Sequence, residues 1–199
     1  VMPSAIDPPA QTAGGLGSAL RRYPADRIAC AMVIGAAAAF YLAIIIRSAV
    51  TIDGRIYFTL FDDAMISMRY AKTLAAGGGL AWNPSDAPVE GVTNLLWTLW
   101  MAVLHLAPVP EGWVPFLVSV SSAACLLATG LGAQRLTRSL GASQGVSCVV
   151  LAVVAFYYPL AFWSLRGMET GVLSALMTWA MVFALRQQEA PNRTRLFAL

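Results

Sequence analysis

The sequence predicts an all-α polytopic membrane protein, and three observations support this fold class. The chain is 58% hydrophobic and 12% charged, whereas soluble domains carry about 25% charged residues. Several stretches without Asp, Glu, Lys or Arg approach the roughly 20 apolar residues that cross a bilayer. The basic residues flank these stretches and do not cluster. The net charge of +3 therefore does not indicate a nucleic-acid partner, and membrane lipids are the expected surroundings.

Four spanning helices are expected. Residues 1–25 are rich in Pro, Gly, Ala and Ser, so they are expected to form a disordered cytoplasmic N-terminus. Residues 26–199 are expected to form the N-terminal part of a transmembrane domain, because a further apolar run begins near the last residue. The expected helices lie at about residues 28–46, 112–134, 145–165 and 170–186, the last of them marginal in length.

A long loop, residues 47–111, separates the first two expected helices. Its apolar segment 95–107 would rise only about 20 Å as a helix, against a hydrocarbon core of about 30 Å, so it is expected to lie in the interface. The positive-inside rule then places the N-terminus, Arg135 and Arg186 in the cytoplasm. The 47–111 loop and residues 166–169 fall together on the extracytoplasmic side.

Two adjacent carboxylates, Asp62 and Asp63, begin a helical stretch at 62–76 that ends at a run of three glycines. One interpretation is structural, because Asp is a preferred N-cap and acidic residues complement the positive end of the helix dipole. With 3.6 residues per turn the two side chains point about 100° apart, so a dyad sharing one proton is not expected. One carboxylate can act while the other caps the helix or binds a metal. Glu169, on the same side of the membrane, is a further candidate acid.

Arg69 and Lys72 share a helical stripe with Asp62. They could snorkel or contact lipid headgroups on an interfacial helix. Alternatively, cations in a poorly hydrated interface could clamp a departing phosphate. Glu90 lies in the following loop and would by itself be an ordinary loop acid.

The expected spans contain no Asp, Glu, Lys or Arg, whereas ion-coupled transporters usually bury such residues in the membrane. This favours chemistry at the interface. The cysteines lie in apolar runs and are expected to be small buried hydrophobes. The single histidine, His105, does not favour a histidine-based zinc site.

Four stretches resemble conserved motifs of a known superfamily. They are Asp-Asp-Ala-Met-Ile-Ser-Met-Arg-Tyr-Ala at 62–71, Gly-Leu-Ala-Trp-Asn-Pro at 79–84, Val-Glu-Gly-Val-Thr-Asn-Leu-Leu-Trp at 89–97 and Gly-Met-Glu-Thr at 167–170. In this order and spacing they resemble GT-C membrane glycosyltransferases, the first three stretches corresponding to the first extracytoplasmic loop. The chain is most similar there to the actinobacterial-type terminal beta-(1→2) arabinofuranosyltransferases and their bacterial relatives, over about residues 57–185.

The resemblance implies a GT-C transmembrane helix bundle in a bacterial plasma membrane, with an amphipathic helix in its first outer loop. It implies a polyprenyl-phosphate sugar donor, with arabinofuranose as a candidate sugar, and an envelope glycan or lipid as acceptor. It implies an inverting reaction with Asp62 as base and Asp63 and Glu169 as further acids. No cofactor is certain, and a divalent metal ion between Asp62 and Glu169 stays open. The residues left for donor phosphate or substrate binding are Arg69, Lys72, Glu90 and Arg166.

Two other functions stay open. In a transporter or flippase subunit, the outer loop would be a gate and Asp62 a contact for substrate or cation. In a noncatalytic envelope-assembly protein, the acidic residues would serve as helix caps and ion-pair partners.

Overall fold

A computed structural model describes residues 15–85 and 91–189, with side chains at 27–85 and 91–188. The described chain is mostly helical, and a 3₁₀ turn at Glu111–Trp113 precedes its longest membrane-length helix. The elements are α1 (Gly15–Ile46), β1 (Ala49–Ile52), β2 (Arg55–Phe58), α2 (Asp62–Ala75), α3 (Leu95–His105), α4 (Val114–Ser139), α5 (Gln144–Ala155), α6 (Tyr158–Leu165) and α7 (Thr170–Glu189).

Two helical segments of the described ranges are long and apolar enough to cross a membrane, Arg27–Ile46 and Glu111–Ser139. The pair α5 and α6 would be a third if its 49° bend lies within one span. Helix α7 does not join them, because Thr170 and Gly171 at its start and the polar residues 186–188 at its end dilute its apolar stretch. The prediction of four spans is therefore supported for two, and the expected bundle stays a prediction.

The first helix begins earlier than the sequence predicted. Helix α1 starts at Gly15, inside the segment 1–25 that was expected to be disordered. Residues 1–14 lie outside the described part of the chain. A physical reason for the extension is that Ala, Leu and Arg, all good helix formers, precede the apolar run.

Proline explains the bend between α5 and α6. Pro159 has no N–H, so it cannot donate the helical bond to the carbonyl of Ala155 four residues earlier. That carbonyl instead accepts a hydrogen bond from the hydroxyl of Tyr41 at 2.7 Å. Tyr41 is 1% exposed, so α1 satisfies a backbone group that the break would leave unpaired.

Helix α4 is the centre of the bundle and contacts α1, α5, α6 and α7. Small residues allow the close approach, as they do in helix pairs within membranes. A Cβ atom added at Gly130 would lie 2.9 Å from Leu151 Cδ1, and one at Gly132 would lie 2.8 Å from Thr178 Cγ2. Bulk at either glycine would therefore separate α4 from its neighbours.

The β1–β2 hairpin was not predicted, although the sequence carries a hairpin signal. Asp53 and Gly54 both have positive φ, 50° and 74°, as a two-residue type I′ turn requires, and Asp-Gly is a preferred sequence for it. The ring of Phe58 packs against Trp113 and Phe116 at centroid distances of 5.1 and 5.0 Å. The hairpin is thereby held on the beginning of α4.

Residues of the 47–111 loop and the 166–169 turn lie together at one end of the helices. The backbone N–H of Phe61, just before α2, donates to the carbonyl of Arg166 at 2.8 Å. At the other end, the sulfur of Cys30 accepts hydrogen bonds from Gln134 and Gln144 at 2.9 and 3.4 Å. This arrangement agrees with the expectation that residues 166–169 share a side with the 47–111 loop.

Candidate active site

Helix α2 presents its first turn at this end of the bundle. The N-cap residue is Phe61, with φ −69° and ψ 155° and no side-chain cap, so Asp62 and Asp63 occupy the first two helical positions. Both side chains are exposed. Asp62 Oδ1 accepts a hydrogen bond from the N–H of Asp63 at 3.1 Å. Neither aspartate is therefore the N-cap, although both carboxylates lie at the positive end of the helix dipole.

The end of α2 agrees with the predicted glycine stop. The N–H of Gly77 bonds to the carbonyl of Leu74, and the N–H of Gly78 bonds to the carbonyl of Thr73, at 3.0 and 2.9 Å. Gly77 has φ +83°. Together these form a Schellman motif, in which a glycine in the left-handed conformation closes a helix.

The same motif closes α6 and forms the turn that carries Glu169. The N–H of Gly167 bonds to Ser164 at 3.0 Å, and the N–H of Met168 bonds to Trp163 at 3.1 Å. Gly167 has φ +95°, and a Cβ atom there would lie 2.9 Å from Leu60 Cδ1 and 3.0 Å from Ala64 Cβ. The 166–169 turn is therefore packed directly against the first turn of α2.

A tryptophan from α3 fixes this turn from a second direction. The indole N–H of Trp97 donates to the carbonyl of Gly167 at 2.8 Å. Trp97 is buried in the core shared by α2, α3 and α4, with Ala64, Met101 and Val118. In addition, the hydroxyl of Ser119 on α4 donates to the carbonyl of Leu165 at 2.9 Å.

Asn94 connects Glu169 to helices α2 and α3. Its side-chain Nδ2 donates to Glu169 Oε2 at 3.0 Å. Its Oδ1 accepts from the hydroxyls of Ser67, at 2.9 Å, and Thr98, at 3.0 Å. These hydrogen bonds form a polar network, the Asn94 network, which links Ser67 and Thr98 through Asn94 and ends at Glu169.

The first turn of α2, Asn94 and the 166–169 turn come together at one place, which we call the junction. Three of the four resembling motifs meet there. Residues 62–71 supply the aspartates and Ser67, residues 89–97 supply Asn94 and Trp97, and residues 167–170 supply Gly167 and Glu169. The remaining motif, 79–84, lies beside Arg69. The Nε of Arg69 donates to the carbonyl of Trp82 at 3.0 Å, and its Nη2 donates to Asn83 Oδ1 at 2.7 Å.

The predicted phosphate-binding cations therefore differ in their surroundings. Arg69 holds the 82–83 loop against α2. Lys72 forms an ion pair with Glu111, which ties α2 to the start of α4. The guanidinium of Arg166 has no hydrogen-bond or ion-pair partner among residues 27–85 and 91–188, and the backbone carbonyl of Arg166 accepts from Phe61 just before α2. Glu90 lies outside the described residues, but the glycine after it is constrained, since a Cβ added at Gly91 would clash with the Tyr70 hydroxyl.

Clefts open along α2, one beside the middle of the helix and one near its last turn. One of about 830 Å³ lies between the hairpin, α2 and the start of α4, and Tyr57, Met65, Met68 and Trp113 are among its lining residues. A smaller cleft of about 290 Å³ is lined by Lys72, His105, Glu111 and neighbouring residues. Met65 belongs to the same helical stripe as Asp62, so the larger cleft adjoins the face that carries this aspartate.

His105 is half-buried and lines the smaller cleft. Its Nε2 is buried and has no hydrogen-bond partner among the described residues. Burial lowers the pKa of His105, while the charge of Glu111 acts in the opposite direction and the charge of Lys72 lowers it further. The neutral imidazole is thus the form that the fold favours.

No group of three or more His, Cys, Asp or Glu side chains within residues 15–85 and 91–189 is arranged to hold a metal ion. Asp62, Asp63 and Glu169 are included in that statement. A metal ion between Asp62 and Glu169 stays a prediction, and the mechanism proposed below does not depend on one.

Sequence reasoning did not single out Asn94, Trp97 or Glu111. Asn94 stands directly before an apolar helix, where Asn is expected to cap, yet its side chain makes no cap hydrogen bond. Glu111 appears in the sequence only as another acid of the outer loop. Its partner Lys72 is far away along the chain, so no local pattern indicates the pair.

Comparisons with protein-family models, with curated proteins and with solved structures gave no significant match to this chain.

Proposed function

We propose that this chain belongs to a GT-C-type membrane glycosyltransferase that moves a sugar from a polyprenyl-phosphate donor to an envelope glycan or lipid acceptor. The observation that carries the proposal is the meeting of three separate motifs at one junction. Asp62, Asn94 and Glu169 are distant in sequence, and Asn94 is hydrogen-bonded to Glu169. Structural caps and ion pairs alone would not require these motifs to converge.

The proposed base is Asp62. It accepts the proton of the acceptor hydroxyl while the hydroxyl oxygen attacks the anomeric carbon of the donor. The bond between that carbon and the phosphate oxygen breaks, and the lipid phosphate leaves with the bonding electrons, so the configuration at the anomeric carbon inverts. Asp62 suits this role because it is exposed and lies in the first turn of α2, where an acceptor hydroxyl can reach it.

Glu169 and Asp63 support the reaction in this proposal. The transition state resembles an oxocarbenium ion, and nearby carboxylates stabilise the positive charge that develops on the sugar. Glu169 is half-buried and one of its oxygens is already fixed by Asn94. Asp63, turned about 100° from Asp62 on the helix, contributes its charge and not a second proton acceptor.

Arg166 is the proposed partner of the leaving phosphate. Arginine recognises phosphate through two parallel hydrogen bonds, and the guanidinium of Arg166 has no partner in the described part of the chain. Arg69 and Lys72 were expected to share this role. Because Arg69 binds the 82–83 loop and Lys72 pairs with Glu111, they are proposed to supply only long-range positive charge.

A membrane location suits a lipid-linked donor. The segments Arg27–Ile46 and Glu111–Ser139 are long and apolar enough to span a bilayer, and the residue before the 166–169 turn is bonded to Ser119, near the beginning of the second segment. The sugar and phosphate would then meet Asp62 at the interface while the polyprenyl tail stays among the lipid chains. We propose a multi-pass protein of the bacterial plasma membrane with this junction on the extracytoplasmic side.

The test compares purified protein in lipid nanodiscs, wild type and variants, with polyprenyl-phosphate arabinofuranose and an arabinan acceptor. Asp62→Asn should lower the transfer rate roughly 10²- to 10⁴-fold, the usual contribution of general base catalysis. Asp53→Asn is the matched control, because Asp53 lies in the hairpin turn at φ 50°, a conformation that Asn tolerates. Native-rate transfer by Asp62→Asn would refute the base assignment.

The transporter alternative gives a different result in proteoliposomes. Movement of the lipid-linked sugar across the bilayer without a new glycosidic product would favour a flippase. An unchanged product pattern in cells carrying Asp62→Asn and Glu169→Gln, with only lower protein stability, would favour an assembly subunit.

A further inference from the structure

We infer that Asn94 is a positioning residue that holds Glu169 in one orientation and leaves its second oxygen for the substrate. This inference deepens the proposed function and rests on it. The first observation is the direction of the hydrogen bonds. Two hydroxyl donors, Ser67 and Thr98, point at Asn94 Oδ1, so its Nδ2 is the atom turned toward Glu169.

The direction has a chemical consequence. An amide N–H that donates to one oxygen of a carboxylate orients the whole group, so Asn94 holds the Glu169 side chain by a single oxygen. Glu169 Oε2 accepts this bond, while Oε1 has no hydrogen-bond partner within the described ranges. The free oxygen belongs to a side chain that is only half-buried and can therefore reach a sugar hydroxyl or a developing positive charge.

The second observation is that Asn94 gives up its local role. Asn is among the best N-cap residues because its side chain accepts a backbone N–H of the first turn. Asn94 is the N-cap of α3, yet its side chain makes no cap bond. A residue that breaks a local rule in favour of a distant partner is typical of a functional site.

The orienting groups are themselves buried. Thr98 is 0% exposed and Ser67 is 5% exposed, so water does not compete strongly for Asn94 Oδ1. Thr98 lies on α3 and Ser67 lies on α2. The side-chain amide of Asn94 is therefore fixed by two helices that contribute to the junction. Residues that orient metal ligands typically contribute roughly 10- to 100-fold to metal affinity or activity. By analogy, we expect a contribution of this size from residues that orient Glu169.

The experiment uses the nanodisc transfer assay on the full chain, with rate measured against pH. Asn94→Asp replaces the donor with a second carboxylate, so a like charge faces Glu169 where an N–H donor stood. We expect a rate loss of roughly 10- to 100-fold at neutral pH and an acid limb of the pH–rate profile that moves to higher pH. Thr98→Val, which removes one orienting hydroxyl, should give a smaller loss in the same direction.

Ser119→Ala is the control. It removes a buried hydrogen bond to the carbonyl of Leu165, near the same turn, without touching Glu169. It should lower thermal stability and leave the pH–rate profile in place. If Asn94→Asp behaves like Ser119→Ala, with lower stability but an unchanged rate per folded molecule and an unchanged profile, Asn94 is only structural and the inference is overturned.

A failure of the proposed function is recognised separately. Wild-type protein that transfers no sugar would refute the glycosyltransferase. The hydrogen bond between Asn94 and Glu169 is then tested by measuring the free energy of unfolding of Asn94→Leu, Glu169→Gln and the double variant. Effects on the folding equilibrium that are non-additive by about tenfold support the network, whereas additive effects overturn it.

Discussion

The indole N–H of Trp97 lies 2.8 Å from the carbonyl oxygen of Gly167 and donates a hydrogen bond to it. This bond joins the short apolar helix of the outer loop to the turn between α6 and α7. The turn carries Glu169, and the same helix begins at Asn94, so the bond sets the separation across which Asn94 and Glu169 interact. The short helix α3 therefore helps to build the candidate site although it is too short to cross a membrane.

Gly167→Ala should destabilise the protein more than the same change at Gly141. Both glycines close a helix with positive φ, +95° and +83°, which is unfavourable by about 1–2 kcal/mol for a residue with a Cβ. Only at Gly167 would the new Cβ meet Leu60 and Ala64, whereas nothing lies within 4 Å at Gly141. Overpacking adds about 1–3 kcal/mol.

Unfolding in mixed detergent micelles measures the difference. Gly167→Ala should cost roughly 2–5 kcal/mol in total, and Gly141→Ala only about 1–2 kcal/mol. Equal losses for the two variants would show that the contact between the 166–169 turn and α2 is not tight.

The three cations of the site should respond differently to neutralisation. Arg166→Gln should lower kcat/KM for the lipid-phosphate donor by roughly 10- to 100-fold, the effect of losing a charge-assisted bond of about 1.5–3 kcal/mol. Lys72→Gln should change it only a few fold. The Lys72–Glu111 pair is 44% and 67% exposed, and exposed pairs contribute about 0–1 kcal/mol to stability.

Arg69→Gln is expected to act on the loop that it binds. It removes the bonds to Trp82 and Asn83, so proteolysis near residues 79–85 should become faster. Initial rates at several donor concentrations separate the three variants. A Lys72→Gln effect larger than that of Arg166→Gln would reverse the assignment of the phosphate partner.

The sequence predicted the local features of the site well. Helix α2 was expected at 62–76 and is found at Asp62–Ala75, because the amphipathic pattern and the glycine stop are both local signals. The alternation of charge between loops also predicted that residues 166–169 share a side with the 47–111 loop, although it did not predict their contact. The first feature follows from the hydrophobic periodicity of a short stretch of sequence. The second follows from the charges of the loops between apolar segments.

The distant pairs could not be predicted. The bond from Asn94 to Glu169 and the ion pair between Lys72 and Glu111 depend on how α2, α3 and α4 pack. Asn94 even contradicts its local signal, since its position predicts a cap. The hairpin is a different case, because Asp53-Gly54 between β-branched residues was a readable signal that the membrane-helix interpretation obscured.

Acid should destabilise the wild-type protein through His105. Burial lowers the pKa of this imidazole below its ordinary value of about 6.5, so the unfolded chain takes up a proton before the folded chain does. Stability is therefore retained above about pH 6.5 and is lost as the pH falls toward the lowered pKa. Below that pKa the imidazole is protonated in both the folded and the unfolded chain, so the loss of stability does not increase further.

His105→Gln should remove this part of the pH dependence. Thermal unfolding of wild type and variant between pH 7.5 and pH 5 measures it, with the variant losing less on acidification. Glu111→Gln should have the opposite effect, because the Glu111 carboxylate raises the pKa of His105 and its loss makes the imidazole harder to protonate. A steeper acid loss in His105→Gln than in wild type would contradict the assignment.

The proposed topology places Ser85 and Leu140 on opposite sides of the membrane. Both residues are exposed, and of the helices between them only α4, with its preceding turn, is long and apolar enough to span. With Cys30, Cys125 and Cys148 replaced by Ala, a cysteine at Ser85 should react with a membrane-impermeant maleimide in intact cells. A cysteine at Leu140 should react only after permeabilisation, as the positive-inside rule predicts for the Arg135–Arg138 end of α4. If both react from outside, α3 must also cross or α4 must not, and the candidate site would lose its extracytoplasmic assignment.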